Sequence, residues 1–352
     1  MTISLFAPLS IPSPNADWQS FFIPLGEWFK WLPFVDASTG LTIHAYALCI
    51  LAGIIAAIWL TSHRLTRRGA EPGIVLDIAL WAVPFGIAGG RIFHVITHPD
   101  DYFGPGKELW KVLAIWEGGL AIFGALSLGA VGVAIGCRFA GIRFVSFADA
   151  LIPGLLLAQA FGRLGNYFNQ ELFGQPTTLP WGLVIDSPNL ALPLGLPEDT
   201  LYSPTFLYEI LWNLLGVVVL LLIERRLRLR WGKMLGLYLI WYGVGRSIFE
   251  TIRLDPSESF FGIRTNVWAA FAAIVLGIII FAVQSRRHPG IEPGPYVSGK
   301  EWSPDSSGVD SEETYSDSDD SGNDAASSGK ASSDSSKTPE LSATSGQAKT
   351  PS

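Results

Sequence analysis

The chain has 352 residues, 49% of them hydrophobic and 16% charged, with a mean hydropathy of +0.34 and a formal net charge of −7. Two cysteines, Cys49 and Cys137, both in or beside apolar runs, and five scattered histidines with no H-E-x-x-H pattern argue against a disulfide framework or a metal enzyme. The charge is unevenly placed: the chain is strongly apolar up to about His288, and acids such as Asp317, Asp319 and Asp320 collect beyond it, so the negative total says little about partners.

The first basic residue is Lys30, which argues against a cleavable signal peptide. Residues 1–40 instead carry Trp18, Phe21, Phe22, Trp28, Phe29 and Trp31, the composition of an interfacial segment at headgroup level. About seven stretches then reach the roughly 20 mostly apolar residues that cross a bilayer. They lie near 41–60, 74–96, 112–136, 145–164, 206–223, 234–250 and 266–283. The expected fold class is an all-α, polytopic integral membrane protein with its membrane body over 41–288. The second span is interrupted by Pro84 and Gly89-Gly90, breaks tolerated where protein or a water-filled cavity covers the freed backbone groups.

Basic residues orient these spans. Arg64, Arg67 and Arg68 follow the first, Arg138 and Arg143 the third, Arg225, Arg226, Arg228, Arg230 and Lys233 the fifth, and Arg286 and Arg287 the seventh. The long segment from Asn166 to Pro204 has no Lys or Arg. The positive-inside rule therefore predicts an N-terminus outside and a C-terminus in the cytoplasm. Gly86 with Gly90, and Gly132 with Gly136, have the spacing of small-residue helix contacts; the competing reading is a lipid headgroup approaching the backbone. Residues 289–352 are Ser-, Asp-, Gly- and Pro-rich and cannot bury enough apolar surface to fold, which predicts a disordered cytoplasmic tail.

Ionised groups inside spans cost about 2.5–3.5 kcal/mol each on insertion scales. Most of those here fall toward the outer ends of the predicted spans: His44 and Tyr46 in the first, Arg91 and His94 in the second, Arg163 and Asn166 in the fourth, Tyr208 and Glu209 in the fifth, and Tyr242, Arg246, Glu250 and Arg253 in the sixth. Snorkelling and structural ion pairs account for any one of them taken singly. As a set on one membrane face they suggest a phosphate clamp, since two guanidiniums on separate helices pair bidentately with phosphate oxygens. Asn166, Asn169 and Tyr46 are candidates to orient a headgroup. Glu171, Glu209 and Glu250 are candidates to fix an arginine or accept a proton.

The run GRLGNYFNQELFG, Gly162 to Gly174, also resembles the signature G-R-x-[GA]-N-F-x-N-x-E-x-x-G of bacterial prolipoprotein diacylglyceryl transferases, with Tyr167 in place of the usual Phe. The likeness extends to IHAYAL with His44 and Tyr46, to GGRIF with Arg91, to WEGGL at Trp116, to SPTFLYE with Glu209, and to YGVGRSIFETIR with Tyr242, Glu250 and Arg246, the last matching the family's essential arginine. Two positions depart. Many members carry a histidine, often proposed as the base, where this chain has Phe123, and a His-Pro where it has Ser203-Pro204.

The resemblance implies transfer of the diacylglyceryl group from phosphatidylglycerol to the lipobox cysteine of a preprolipoprotein signal peptide, releasing glycerol 1-phosphate, in the bacterial cytoplasmic membrane. It implies Arg163, Arg246 and Tyr46 as catalytic residues. His44, Arg91, Asn166, Asn169, Glu171, Gly174, Glu209, Tyr242 and Glu250 are the implied substrate-binding residues. With Phe123 unable to take a proton, Tyr46, His44 and Glu250 are the candidate bases. No metal, diffusible cofactor or nucleic-acid partner is implied. The alternatives are a catalytically silent lipid-binding homologue, suggested by Phe123 and Ser203, and a transporter, which calls for midplane polar groups and repeat symmetry that the sequence lacks.

Overall fold

A computed structural model describes residues 9–28, 31, 40–104, 106–186, 188–189, 191–193, 195–197, 199–255 and 259–303. Seven long helices dominate: α1 (Ala45–Thr66), α2 (Ile74–Thr97), α3 (Ile122–Phe139), α4 (Phe144–Phe168), α5 (Thr205–Leu227), α6 (Lys233–Glu250) and α7 (Thr265–Arg287). Six are long and apolar enough to cross a membrane; α6 falls short on composition because it carries Lys233, Arg246 and Glu250. Among the described residues, paired strands form two small antiparallel sheets, beside isolated bridges. In the first, β1 (Ser20–Ile23) pairs with β2 (Leu41–His44); in the second, β3 (Ser259–Phe260) pairs with β4 (Ile263–Arg264). The chain is a polytopic, mostly helical membrane protein.

Two boundaries differ from the sequence expectation. The first span was expected from residue 41, but 41–44 pair with Ser20–Ile23 and the helix starts at Ala45 and runs on to Thr66. The third was expected from residue 112, but 109–117 form short 3-10 turns and α3 begins at Ile122. The reason is local: Gly118 and Gly119 take positive φ of 89° and 73°, which a continuing helix does not allow. Trp18, Phe21, Phe22, Trp28 and Trp31 of the N-terminal segment are exposed; Phe29 lies outside the described residues.

Helix α4 is the hub. Its most apolar stretch is 56% buried against 11% for α7, and it packs against both α1 and α5. Close pairs form where glycines face each other. A Cβ on Gly236 would sit 2.8 Å from the Gly277 carbonyl oxygen, and one on Gly277 would sit 2.6 Å from that of Gly236, so α6 and α7 touch backbone to backbone. Gly89 and Gly124 do the same for α2 and α3, with Gly132 against Trp81 and Gly136 against Ile78. These glycines serve helix packing.

Consecutive helices run antiparallel, so the bundle has an upper end, where α1, α3, α5 and α7 begin, and a lower end, where they finish. At the lower end Glu224 accepts from Arg64 (2.8 Å), Arg68 (2.7 Å) and Arg230 (3.0 Å). Arg64 also donates to the carbonyls of Asp149 and Ala150, and Arg68 to that of Ser146. Burial and the like charge of Arg230 bring the Arg68 pKa down to about 10, still cationic at neutral pH. Asp149, fully buried on α4, caps α6 by accepting from Gly232 N (2.7 Å) and Leu235 N (3.2 Å).

The segment after α7 was expected to be a structureless tail from residue 289. Residues 289–303 instead strap across the lower end. Arg143 N donates to Pro295 O, Val297 N to Gly141 O, and Glu71 N to the Tyr296 hydroxyl at 3.0 Å. Tyr296 is buried beside Leu65, Ile74, Ile142 and Phe147, and Ser146 bonds Glu292. One aromatic ring with a bonded hydroxyl and a paired carboxylate suffice to hold a polar, proline-rich segment that composition alone leaves unfolded. The rest of the expected tail, 304–352, lies outside the described residues.

Candidate active site at the upper end of the bundle

The site grows from the end of α4. Gly165 leaves room for the Tyr46 ring of α1: a Cβ there would lie 2.7 Å from Tyr46 Cδ2. Two residues earlier, Arg163 pairs through Nε with Glu209 Oε2 of α5 at 2.6 Å and donates from Nη1 to Asn166 Oδ1 at 3.1 Å. Asn166 Nδ2 donates to Glu171 Oε1 at 2.7 Å, and Asn169 Nδ2 reaches the same oxygen at 3.3 Å. Each carboxylate thus fixes a neighbour's rotamer, and Arg163 Nη2 has no partner among the described residues.

The chain reverses after α4 through Gln170 and Leu172, whose φ of 49° and 59° are left-handed and unusual for non-glycine residues. Surrounding bonds hold them there: Gln170 donates to Asp186 and accepts from Asp186 N, and Thr205 Oγ1 donates to Leu172 O. Gly174 then threads between Ser203, Thr205 and Ile252, where a Cβ would meet side-chain carbon at 2.8–3.1 Å. Its N–H donates to Ser203 O, and it bridges to Arg253 at the end of α6. Gly174 acts through this close approach, which ties the signature loop to α5 and α6.

The second arginine sits on α6. Arg246 pairs with Glu250 Oε2 at 2.9 Å, one turn on. Glu250 is fully buried, a costly place for a carboxylate unless it is surrounded. Arg264 (3.2 Å) and Asn266 (2.9 Å) supply that surround through Oε1. Arg264 also donates to the carbonyls of Glu250, Arg253 and Asp255, while Arg253 pairs with Asp255 at 2.7 Å. Glu250 Oε2 faces Arg246 as an ion pair and has no hydrogen bond among the described residues, so Glu250 both holds Arg246 and stays a candidate base. Arg246 Nε and Nη1 have no partner among the described residues.

Three sequence candidates stand apart. Arg91 is buried and spends its guanidinium on the carbonyls of Val112, Gly118, Gly119 and Lys111, with the Tyr102 ring 4.9 Å away. It shapes the 109–119 turns and presents no free edge to a substrate. His44 is exposed at the end of β2 opposite Ser20, and Tyr242 is 38% exposed and stacked on Tyr238. Arg264, Asn266 and Asp255 escaped the sequence reading. The signal was available: Arg264 is a cation at the Arg-poor end of the bundle, where the charge rule gives it no reason to be.

The sequence model of the prolipoprotein diacylglyceryl transferase family matches residues 34–283, all seven helices but the last turn of α7. The chain belongs to that family. Among relatives of the transferase, one from Leifsonia xyli named phosphatidylglycerol–prolipoprotein diacylglyceryl transferase is 60% identical over 312 residues, covering 87% of this chain and 90% of the relative. Proteins of that name from Streptomyces coelicolor and Paenarthrobacter aurescens are each 48% identical, covering 71% and 70% of this chain and 78% and 80% of their own. The transferase thus shares with them nearly all of its membrane body.

Proposed function

We propose that the chain transfers the diacylglyceryl group of phosphatidylglycerol to the thiol of a lipobox cysteine in preprolipoprotein signal peptides. One observation carries this reading: Arg163 and Arg246, on different helices at one end, are each aimed by a carboxylate and each keep N–H groups unspent. The substrate sulfur attacks the glycerol carbon that bears the phosphate. A carbon–sulfur bond forms, the carbon–oxygen bond breaks, and its electron pair leaves with glycerol 1-phosphate. The thiol proton balances the added charge of the new phosphate monoester. Preorganised donors matter most where that charge develops, and we assign Arg163 and Arg246 this task. Asn166, Asn169 and Glu171 orient the headgroup around Arg163, and Glu209 and Glu250 hold the two guanidiniums.

A free thiol has a pKa of about 8.5, and nearby guanidinium charge favours its thiolate. Phe123 accepts no proton, so the acceptor is drawn from Tyr46, above Gly165, the exposed His44, and Glu250 beside Arg246. The upper end faces the outside of the bacterial cytoplasmic membrane and the Arg-rich lower end the cytoplasm. Both acyl chains and the signal helix reach the site laterally.

The test is a transfer assay with detergent-purified protein, phosphatidylglycerol and a lipobox peptide, following peptide mass and released glycerol phosphate. Wild type transfers, and Arg163→Ala loses about 10²–10³-fold of the rate. Phe123 and Ser203 favour a second reading, a silent lipid-binding homologue. No transfer by wild type where a histidine-bearing relative is active would establish it.

A further inference from the structure

The strap at the lower end forms one wall of an open cavity of about 620 Å³ that the transfer reaction does not use. Its size falls within the roughly 300–1,000 Å³ of small-ligand sites. One wall is the end of α3 and the start of α4, with Ala134, Phe139 and Phe144; the other is the strap, with Val297 and Lys300. Its charged lining residues are Arg138, Arg143 and Lys300, and no carboxylate lines it.

The nearby acids are already taken. Glu292 is bound by Ser146 and, at 3.4 Å, by Arg143; Glu301 turns back to accept from Gly299 N at 2.9 Å. Arg143 is fixed by Gly294 O at 2.7 Å and lies 5.0 Å over the Trp231 ring. The Lys300 stem lies across Gly141, which has a φ of +69° and no side chain to block it. Arg138 and Lys300 are exposed, and neither side chain has a partner among the described residues. Phe139 is 72% exposed and Phe144 39%, so the apolar wall continues onto the membrane-facing surface.

We propose that this cavity binds the phosphodiester headgroup of an anionic phospholipid, with Arg138 and Lys300 on the phosphate and the acyl end along Ala134, Phe139 and Phe144. A free phosphate satisfies the same cations but leaves the apolar wall without an occupant, whereas a lipid matches both halves. The site is independent of the transfer reaction, since it lies at the opposite end of the bundle. Its occupant ties the α3–α4 turn to the strap.

Native mass spectrometry of the full chain in detergent, titrated with dioleoylphosphatidylglycerol or dioleoylphosphatidylcholine, tests this. Wild type retains the anionic lipid over the zwitterionic one. The double variant Arg138→Gln/Lys300→Gln binds its weakest-held phosphatidylglycerol roughly tenfold less tightly. Arg286→Gln/Arg287→Gln, which removes equal charge outside the cavity, leaves that affinity unchanged. Equal loss in both double variants, or equal retention of the two lipids, overturns the proposal. So does displacement of the lipid by millimolar inorganic phosphate, which would assign the cations to a soluble anion. Matched melting curves of the two double variants separate lost binding from lost fold.

Discussion

Both ends of the bundle are built from arginine and glutamate, in different proportions. At the lower end one carboxylate, Glu224, gathers Arg64, Arg68 and Arg230, and Arg64 and Arg68 donate further to backbone carbonyls. At the upper end Arg163 and Arg246 each have a carboxylate of their own and keep N–H groups unspent. The lower cluster joins α1 to α5 by gathering three cations on one carboxylate. The upper pairs give Arg163 and Arg246 separate carboxylates. What separates the two ends is thus how many cations share one anion; Arg91, though at the upper end, spends every guanidinium nitrogen on backbone carbonyls and belongs with the scaffold.

Four substitutions break or sharpen this contrast. The largest effect is on stability. Glu224→Gln strands three guanidiniums and is expected to cost about 3–5 kcal/mol, read as a lowered melting temperature in detergent, while the folded fraction keeps its kcat. Arg246→Gln strikes the chemistry instead: kcat of the folded fraction falls by about 10²–10³-fold, beyond any melting temperature lost with the cation on buried Glu250. A swap of these two outcomes would sink the division between the ends. Arg264→Gln loosens the grip on Glu250 and is expected to lower kcat about tenfold with little change in KM, with Arg264→Lys recovering part of it. The smallest effect is that of Phe123→His, expected to change the rate by less than about threefold. A rise of about 10²-fold or more, the range a general base contributes, would show that the missing imidazole limits the enzyme.

Much of this was readable in advance. Seven apolar runs correspond to seven long helices, and the polar run after Phe161 pointed to the candidate site because charge in a span demands a reason. What escaped has physical causes. Leu41 and Ile43 run on into an apolar helix, and the pairing of 41–44 with Ser20–Ile23 is what separates strand from helix. The turns over 109–117 end at the positive-φ pair Gly118-Gly119, and the carbonyls that Arg91 gathers there come from 20–28 residues away in sequence. Arg264 reaches Glu250 from β4, just before α7, so its role emerges only when α6 and α7 pack. The strap is polar and proline-rich, and its order comes from a few bonds to partners far away in sequence.

The Tyr296 contact has a consequence for biogenesis. The hydroxyl closes on Glu71 N across 225 residues of chain. At a synthesis rate of about 5–20 residues per second, the α1–α2 turn waits on the order of 10–50 seconds for its partner to be made. During that interval the Leu65–Ile74 turn packs on Cys137, Ile142, Phe147 and Ala150 without the Tyr296 ring. The strap is therefore the last piece of this core to leave the ribosome, and the turn is finished only when translation has passed it.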